Sequence, residues 1–298
     1  MDMNTATQER LAPAPSMEAG CDAFSLLRPA RALSPVIFAS GHSGRNYPAE
    51  FVAAARLDAL ALRRSEDCFV DQLFASAPEL GAPLLLAHFP RAYCDANREP
   101  WELDPAMFEG VLPPWVNSAS PRVGAGLGTI ARVVSTGEPI YRGKLPFAEA
   151  EARVRNCWQP YHAALAALIA ETRAQFGVCI LIDCHSMPSA PTVYGPLPDM
   201  VLGDAHGTTC SPRITRLVEQ TLGGFGYRLG RNDPYAGGYV TRHYGRPREA
   251  VHVLQLELCR KLYMDEAQIR PNDGMERLAG DLRRLTSTLV GADWGFLG

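Results

Sequence analysis

The chain has 298 residues, of which 47% are apolar and 20% charged, and its formal net charge is −3. These values are typical of soluble globular domains, and the near-balanced charge, without a cluster of lysines or arginines, argues against a nucleic-acid-binding surface. No apolar run reaches the ~18 residues of a transmembrane helix, and the N-terminus lacks the basic and apolar segments of a signal peptide, so we expect no membrane association.

The cysteines indicate a reducing compartment. There are eight of them, scattered along the chain, and no pair has the C-x-x-C spacing of a zinc or redox motif. Several lie inside apolar runs, where free cysteines pack as small apolar residues. We therefore expect a cytoplasmic protein with free core cysteines.

The first half of the chain predicts strands that alternate with helical segments. A short tail precedes them, read either as loose or as an edge extension, and a single domain is expected over 31–298. In order, we predict the tail over 1–30, a strand over 34–42, a helical region over 48–79, a strand over 82–90, a long loop over 99–128 and a short strand over 128–134.

The second half continues the alternation. Its strongest signal is a helix over 146–176, in which Pro160 should cause a kink. In order, we then predict a strand over 178–185, a loop over 186–210, a helix over 211–222, a short strand over 227–231, a loop over 232–247, a strand over 251–259 and a closing helix over 265–290. Strands that alternate with helices predict an α/β fold, with a mostly parallel or mixed central sheet covered by helices on both faces.

Four of the apolar runs end in polar side chains. They end, in chain order, in His42, in Asn97 and Arg98, in Asp183 and His185, and in Gln255 and Glu257. The carboxyl ends of parallel strands meet at one edge of a sheet, where α/β folds bind their ligands. The sequence therefore predicts that these side chains come together in one site.

Two histidines and a carboxylate at such an edge would make a three-ligand zinc site with one position open to water. His42 and His185 are the candidate histidines, and Asp67, expected at the start of a helical turn, is the candidate carboxylate. Glu257 suits the general base that accepts a proton from the water, because a glutamate inside a buried strand is costly without a partner or a task. Asp183, on the same strand face as His185, is expected to orient that histidine or to be structural.

Simpler interpretations compete with this one. A single histidine after a strand is more often a hydrogen-bonded loop residue than a ligand. We expect structural roles for His88, His162 and His252, whereas His206 and His243 could contact a substrate. Ser186 and Cys184 are poor nucleophiles here, since adjacent side chains on a strand point apart from His185.

Several segments together resemble the N-formylglutamate amidohydrolase (N-formylglutamate deformylase) family. They are SerGlyHisSerGlyArg, AspAlaAsnArgGlu, GlyThrIleAlaArgVal, TyrArgGlyLys, TrpGlnProTyrHis, IleAspCysHisSerMetPro, GlyGlyTyrValThrArgHisTyrGly and ValLeuGlnLeuGlu, in this order between about residues 34 and 265. The resemblance implies the zinc carboxypeptidase-like (phosphorylase/hydrolase-like) α/β fold. It also implies zinc-dependent hydrolysis of N-formyl-L-glutamate to formate and L-glutamate, a late step of histidine degradation.

The resemblance carries over residue by residue. It implies that His42, Asp67 and His185 bind one zinc ion and that Glu257 is the base; Asn97 and Arg98 match the family's Asn-Arg pair. One departure concerns residues 65–69. Many members read Asp-Thr-Asp-Trp-His there, whereas this chain reads SerGluAspCysPhe, so Glu66 is a rival ligand to Asp67 and the exact substrate stays open.

The expected substrate is a small N-acyl amino acid. Because N-formylglutamate carries two carboxylates and arginine binds carboxylates in a bidentate manner, Arg98, Arg142 and Arg242 are, with Asn97, the candidate substrate-binding residues. An amidase acting on another N-acyl amino acid is the alternative, and a non-catalytic binding protein on the same scaffold is a third reading. An assembly of identical chains also stays open.

Overall fold

The structure is a computed structural model that describes residues 23–189 and 197–297. These residues form a seven-stranded central sheet with helices on both faces. The strands of this sheet are β1 Phe24–Leu27, β2 Val36–Ser40, β3 Leu84–Ala87, β4 Cys179–Met187, β5 Met200–Gly203, β6 Leu229–Arg231 and β7 Val251–Cys259. Their spatial order is β1-β3-β2-β4-β7-β5-β6. The pairs β1–β3 and β5–β7 are antiparallel and the others are parallel, which confirms the α/β prediction with a mixed sheet.

Nine α-helices are found in the described ranges. They are α1 Ala49–Ala54, α2 Ala59–Leu62, α3 Val70–Leu73, α4 Pro121–Gly124, α5 Phe147–Arg153, α6 Gln159–Phe176, α7 Pro212–Gly224, α8 Tyr239–Tyr244 and α9 Met275–Gly291. A two-stranded hairpin, β8 Met264–Asp265 with β9 Arg270–Pro271, precedes α9. None of the described helices is long and apolar enough to cross a lipid bilayer.

Strands β4 and β7 form the centre of the sheet. Each has nine residues, all of them buried, which explains their nearly continuous apolar sequences. They pair in parallel, and the register sets Asp183 beside Gln255 and His185 beside Glu257. Paired residues project from the same face of a sheet. The four polar side chains at the carboxyl ends of these strands therefore lie next to one another.

Two apolar layers cover the sheet. On the face from which His185 and Glu257 project, Tyr161 and Leu165 of α6 pack against Ile37 and Leu181. On the other face, α7 and α9 pack on the alternate residues of the same strands, including Cys184. Cys184 is thus part of the core, as expected, and the seven cysteines among the described residues are all free and buried.

The helix predicted around Pro160 forms, but with an irregular turn. Helices α5 and α6 are joined by a π-helical turn over Val154–Trp158, directly before Pro160. Proline lacks the N–H of a regular helical hydrogen bond, and its ring needs space beside the preceding turn. The π-helical turn lies just before Pro160, where its ring needs this space. Helix α7 also begins as predicted, because the Ser211 side chain accepts a hydrogen bond from the N–H of Arg213.

The helical region predicted over 48–79 is broken into short pieces. Asp58 caps α2 by accepting from the N–H of Ala61, Glu66 is extended with a ψ of 147°, and Phe69 has a φ of 65°. Asp67 therefore lies in a turn before α3. A continuous helix that would place Asp67 and Asp71 on one face is not formed.

Some other predicted elements differ from the structure, because backbone hydrogen bonds and strand pairing there override the apolar pattern of the sequence. Of the two readings of the tail, the edge extension is found at its end as the edge strand β1, while residues 1–22 lie outside the described ranges. The strand expected over 128–134 is a loop with one isolated bridge, because its N–H groups bond to loop carbonyls such as that of Glu102. The loop expected over 186–210 contains β5, and its residues 190–196 lie outside the described ranges.

Two further boundaries differ in the last third of the chain. The loop predicted over 232–247 contains α8, which begins after Gly238. The closing helix begins at Met275 instead of 265, because the preceding residues pair as the hairpin β8–β9. The strands predicted over 227–231 and 251–259 are confirmed as β6 and β7.

Candidate active site

A cavity of about 510 Å³ opens at the carboxyl ends of β2, β4 and β7. The segment after β3 and the loop before α8 complete its walls. Most of the residues proposed from the sequence line it: His42, Asp67, Asn97, Arg98, His185, Arg242 and Glu257. Arg142 does not. The four polar strand ends thus meet in one place, as the sequence predicted.

The turn after β2 brings His42 to the cavity. Gly44 in this turn is packed so closely that a Cβ atom would lie 2.2 Å from the carbonyl oxygen of Phe89. Glycine is therefore needed for close packing against the segment after β3. The backbone N–H of Asp67 donates to the carbonyl oxygen of His42 at 3.0 Å, which fixes the turn before α3 against this loop.

His42, Asp67 and His185 form a compact, fully buried group. One potential ligand atom from each lies within 4.8 Å of the others. The Oδ2 atom of Asp67 is 2.9 Å from Nδ1 of His185 and 3.4 Å from Nδ1 of His42. Nδ1 of His42 is buried without a hydrogen-bond partner among the described residues. A buried, unbonded nitrogen directed at a carboxylate and a second imidazole fits the donor set of a zinc ion.

The outer nitrogens of both imidazoles face carboxylates. Nε2 of His42 lies 2.7 Å from Oδ1 of Asp95, and Nε2 of His185 lies 3.0 Å from Oδ2 of Asp183. The hydrogen bond to Asp95 holds the His42 ring in place and keeps its proton on the outer nitrogen, which leaves the inner nitrogen free to bind a metal. Asp183 Oδ2 makes no hydrogen bond to a described residue, and Nε2 of His185 also lies 3.2 Å from Nδ2 of Asn97, so the orienting role of Asp183 stays a prediction.

Asp67 is held as a carboxylate by its surroundings. Burial alone would raise its pKa, but the two imidazoles, with Nδ1 of His185 at 2.9 Å and Nδ1 of His42 at 3.4 Å, hold the pKa well below the usual range of an aspartate. Its second oxygen, Oδ1, accepts hydrogen bonds from Ser186 Oγ at 3.2 Å and Arg260 Nη2 at 3.3 Å. The orientation of the carboxylate is therefore fixed from both sides.

Glu257 lies on β7 beside this group. Burial raises its pKa to about 7, against the charge of His185, and the negative charge of Asp67 acts in the same direction as burial. Gln255 Nε2 donates to Glu257 Oε1 at 2.8 Å, and Gln255 Oε1 accepts from the N–H of Gly238 at 2.8 Å. A carboxylate with a pKa near neutrality is suited to both accepting and returning a proton.

Glu66, the rival of Asp67, is directed away from the cavity. Its carboxylate binds the guanidinium of Arg63, with Nε 3.0 Å from Oε1, and accepts hydrogen bonds from Tyr47 and Cys68. Neighbouring residues in an extended segment project to opposite sides. Between these two acids, the structure brings Asp67 to the two histidines and leaves Glu66 in a separate buried cluster.

The proposed substrate-binding residues have different surroundings. Asn97 lines the cavity, but its Oδ1 accepts from the N–H of Val240 at 2.8 Å. Arg98 donates through Nε to the carbonyl of Leu127 and through Nη1 to its neighbour's carbonyl. Arg242 is exposed at the cavity rim. Arg142 lies outside the cavity, with its Nε bonded to the carbonyl oxygen of Ala55 at 3.0 Å.

Four further residues of the cavity had no role in the sequence-based interpretation: Arg91, Asp95, Arg122 and Arg260. Asp95 stands in the segment that was recognised as a polar strand end, and Arg91 directly follows the strand predicted over 82–90. Position after a strand could therefore have indicated both. Arg260 directly follows the strand predicted over 251–259, so the same signal could have indicated it. Arg122 carries no such signal, because the loop that places it is specific to the tertiary fold.

The remaining histidines lie away from the cavity. His162 stacks on Trp158 at 3.8 Å between ring centroids and bonds to Tyr244. His252 accepts a hydrogen bond from the N–H of Ser211. These contacts agree with structural roles. His206 and His243, which were candidates for substrate contact, are not among the lining residues.

Comparison with known proteins identifies the family. The model of the N-formylglutamate amidohydrolase family matches residues 34–264. An N-formylglutamate deformylase of Pseudomonas aeruginosa is 33% identical over 237 residues, covering 78% of this chain and 83% of that protein. Another from Pseudomonas putida is 33% identical over 207 residues, covering 68% and 72%.

Two solved structures are also similar to this chain. The crystal structure of an N-formylglutamate amidohydrolase from Ralstonia eutropha JMP134 superposes with a TM-score of 0.85 at 38% identity, covering 91% of this chain and 98% of that one. A gene product of Agrobacterium tumefaciens, 18% identical with a TM-score of 0.64, shares the fold over 92% of this chain and 97% of that one. This chain is therefore an amide-hydrolysing enzyme that belongs to the N-formylglutamate amidohydrolase family.

Proposed function

We propose that this enzyme hydrolyses N-formyl-L-glutamate to formate and L-glutamate and that it uses one zinc ion. The relatives that match most of the chain are named for this substrate. The observation that carries the proposal is the buried group of His42, Asp67 and His185 beside Glu257 in a single cavity. Two imidazoles and a carboxylate, with a buried carboxylate nearby, are the parts needed for metal-assisted amide hydrolysis.

The donor set suits zinc. Two nitrogens and one carboxylate oxygen are a common ligand set of catalytic zinc. Asp95 holds the His42 imidazole by a hydrogen bond, and Asp183 lies 3.0 Å from the outer nitrogen of His185. When bound, zinc would act as a Lewis acid toward the formyl oxygen and lower the pKa of a water molecule to about 7. The inner nitrogens of the two histidines and Oδ2 of Asp67 are the atoms that would hold it.

Glu257 would move the proton. Its carboxylate accepts a proton from the attacking water as the oxygen adds to the formyl carbon. It then returns this proton to the leaving nitrogen as the C–N bond breaks, which releases formate and the free amino group of glutamate. A pKa of about 7 makes both transfers feasible near neutral pH.

Arg91 would stabilise the negative charge that develops on the formyl oxygen. Its Nε donates to Oδ2 of Asp95 at 2.9 Å, which positions the guanidinium while its Nη atoms make no hydrogen bond to a described residue. Burial opposes its charge, but Asp95, Asp67 and Glu257 are near enough to raise its pKa. A fixed cation at this position favours the transition state, in which the oxygen is most negative.

A substrate panel tests the proposal. We expect formate release from N-formyl-L-glutamate, with much slower release of acyl groups from N-formyl-L-aspartate and N-acetyl-L-glutamate. Faster turnover of N-acetyl-L-glutamate or another N-acyl amino acid would assign the enzyme to the related deacylases instead. This alternative follows from residues 65–69, where the chain departs from many members of its family.

We also propose that the reaction is a late step of histidine degradation and takes place in the cytoplasm. The free, buried cysteines support a reducing compartment. Accumulation of N-formylglutamate in cells that lack the gene, grown on histidine, would support the pathway assignment.

A further inference from the structure

Three arginines line one wall of the cavity: Arg91, Arg98 and Arg122. The charged groups that act on each arginine show which of them are close to one another. Arg91 is close enough to Glu257 and Asp67 to interact with their charges, and Arg98 interacts with both Arg91 and Arg122. Burial and these two cations lower the pKa of Arg98 to about 10, against the charge of Asp95. In this row of three arginines, Arg91 is therefore near the reacting groups, and Arg98 is near both Arg91 and Arg122.

Arg122 is positioned through Arg98. It lies on the short helix α4, which Ser120 caps by accepting from the N–H of Arg122 at 3.1 Å. The N–H of Leu127 donates to the carbonyl oxygen of Arg122 at 2.8 Å, and the carbonyl oxygen of Leu127 accepts from Nε of Arg98 at 2.8 Å. Two consecutive hydrogen bonds thus connect the backbone of Arg122 to the buried guanidinium of Arg98.

The guanidinium of Arg122 has no partner of its own within the described ranges. No described carboxylate lies within ion-pair distance of it, although the residue is half-buried. In contrast, Arg91 is paired with Asp95 and Arg260 with Asp67. A half-buried cation next to another cation, here Arg98, is costly unless an anion joins them. The cavity therefore has, at Arg122, a half-buried positive charge that no described carboxylate neutralises.

Part of the cavity lining is apolar. Leu127, Ala131 and Val133 line the same cavity and offer a surface for methylene groups. An N-acyl dicarboxylic amino acid has the matching arrangement. Its amide and α-carboxylate are adjacent, a short aliphatic segment follows, and the second carboxylate is at the far end.

We infer that Arg122 binds the side-chain carboxylate of the substrate and makes the enzyme select acidic over neutral N-acyl amino acids. This inference rests on the proposed function, because it assigns one end of the substrate of that same site. The pairing is bidentate if both Nη atoms reach the carboxylate, which is the geometry that arginine offers.

Arg242 is the competing cation. It also lines the cavity without an ion pair to a described carboxylate. However, it is exposed, and its Nε is bonded to the carbonyl oxygen of Gly237 at 3.3 Å. An exposed arginine at the rim is screened by water, so it discriminates less between a charged and a neutral side chain than a half-buried one.

The test compares kcat/KM for N-formyl-L-glutamate and for N-formyl-L-glutamine, which keeps the α-carboxylate and replaces only the distal charge. In Arg122→Met we expect the value for N-formyl-L-glutamate to fall roughly 10- to 100-fold. The value for N-formyl-L-glutamine should change less than about threefold, because the contacts that both substrates share remain. Arg122→Lys should restore part of the preference, since it returns the charge without the planar fork.

Arg142→Met is the matched control, because Arg142 is an exposed arginine outside the cavity; it should leave both values unchanged. Equal losses on both substrates in Arg122→Met would show a structural role and overturn the inference. Loss of the preference in Arg242→Met, with Arg122→Met unchanged, would overturn it as well. A wild-type enzyme that hydrolyses neither compound would instead refute the proposed function, and the inference with it.

Discussion

The carboxylate of Asp95 lies 2.7 Å from Nε2 of His42 and binds Nε of Arg91 through its other oxygen at 2.9 Å. One buried side chain thus joins the proposed metal ligands to the row of arginines. Burial would raise the pKa of Asp95, but Arg98, Arg91 and His42 hold it well below the usual range. Asp95 is therefore a charged acceptor for both partners.

Asp95→Asn should weaken zinc binding, because the neutral amide holds the outer N–H of His42 less strongly. Loss of such an orienting carboxylate typically costs 10- to 100-fold in metal affinity. Competition with a fluorescent chelator measures the change. Asp58→Asn is the control, since Asp58 is exposed and asparagine caps a helix equally well. Equal zinc affinity in both variants would refute the orienting role.

Glu66→Gln and Asp67→Asn should change different properties: Asp67→Asn the zinc content, and Glu66→Gln the free energy of unfolding. Asp67→Asn is expected to abolish stoichiometric zinc binding, because it neutralises the only carboxylate that the structure places between the histidines in the described ranges. Glu66→Gln should keep the zinc and lower the free energy of unfolding by about 2 kcal/mol, since it removes a buried charge that pairs with Arg63. Metal analysis and urea unfolding measure the two effects, and loss of zinc in Glu66→Gln would restore Glu66 as the ligand.

The choice between these two acids could not be made from the sequence. The pattern predicted strands, the polar strand ends and their convergence, because strand alternation and the edge of a parallel sheet follow from simple periodicity. It did not predict the breaks at Asp58 and Phe69, which depend on capping and on a rare positive φ. Those breaks decide that Asp67 faces the cavity and that Glu66 does not.

The positions of the arginines could also be predicted from the sequence only in part. Arg98 follows a recognisable strand end, and the structure brings it to the cavity. Arg142 was chosen because its loop was expected near the strand ends, but the loop instead bonds to the carbonyl oxygen of Ala55. The loop that carries Arg122 is tied to the cavity by the hydrogen bond from Arg98 to Leu127, which are distant from each other in sequence and for which no local pattern exists.

Glu257→Gln should retain zinc and lose turnover. The amide has nearly the same shape but cannot accept the proton of the attacking water, so we expect kcat to fall by about 10²- to 10⁴-fold. Glu276→Gln, on the exposed first turn of α9, is the matched control. Single-turnover formate release at equal zinc content is the measurement. Survival of activity within about tenfold of the wild type would exclude Glu257 as the base.

His162 should make the protein less stable in mild acid. Burial lowers its pKa to about 4 from the ordinary histidine value of 6.5, although its hydrogen bond to Ala96 opposes this change. Between these values the unfolded chain binds a proton that the folded chain does not, so stability falls as the pH decreases from 6.5 to 4. For one proton the slope reaches about 1.4 kcal/mol per pH unit.

His162→Gln should remove this contribution from the pH dependence, since glutamine cannot be protonated. Urea unfolding at several pH values compares the variant with the wild type. His206→Asn serves as the control, because His206 is exposed and asparagine tolerates its φ of 57°. An unchanged slope in His162→Gln would mean that another group is responsible.

The central claim is that zinc at His42, Asp67 and His185 makes this chain an N-formylglutamate hydrolase. The most direct measurement is formate release from N-formyl-L-glutamate by chelator-treated enzyme during a titration with zinc. We predict no release from the metal-free protein and a linear recovery that ends at about one zinc per chain, with no recovery in Asp67→Asn. Full activity after complete removal of metal, or recovery that is the same in Asp67→Asn, would contradict the account.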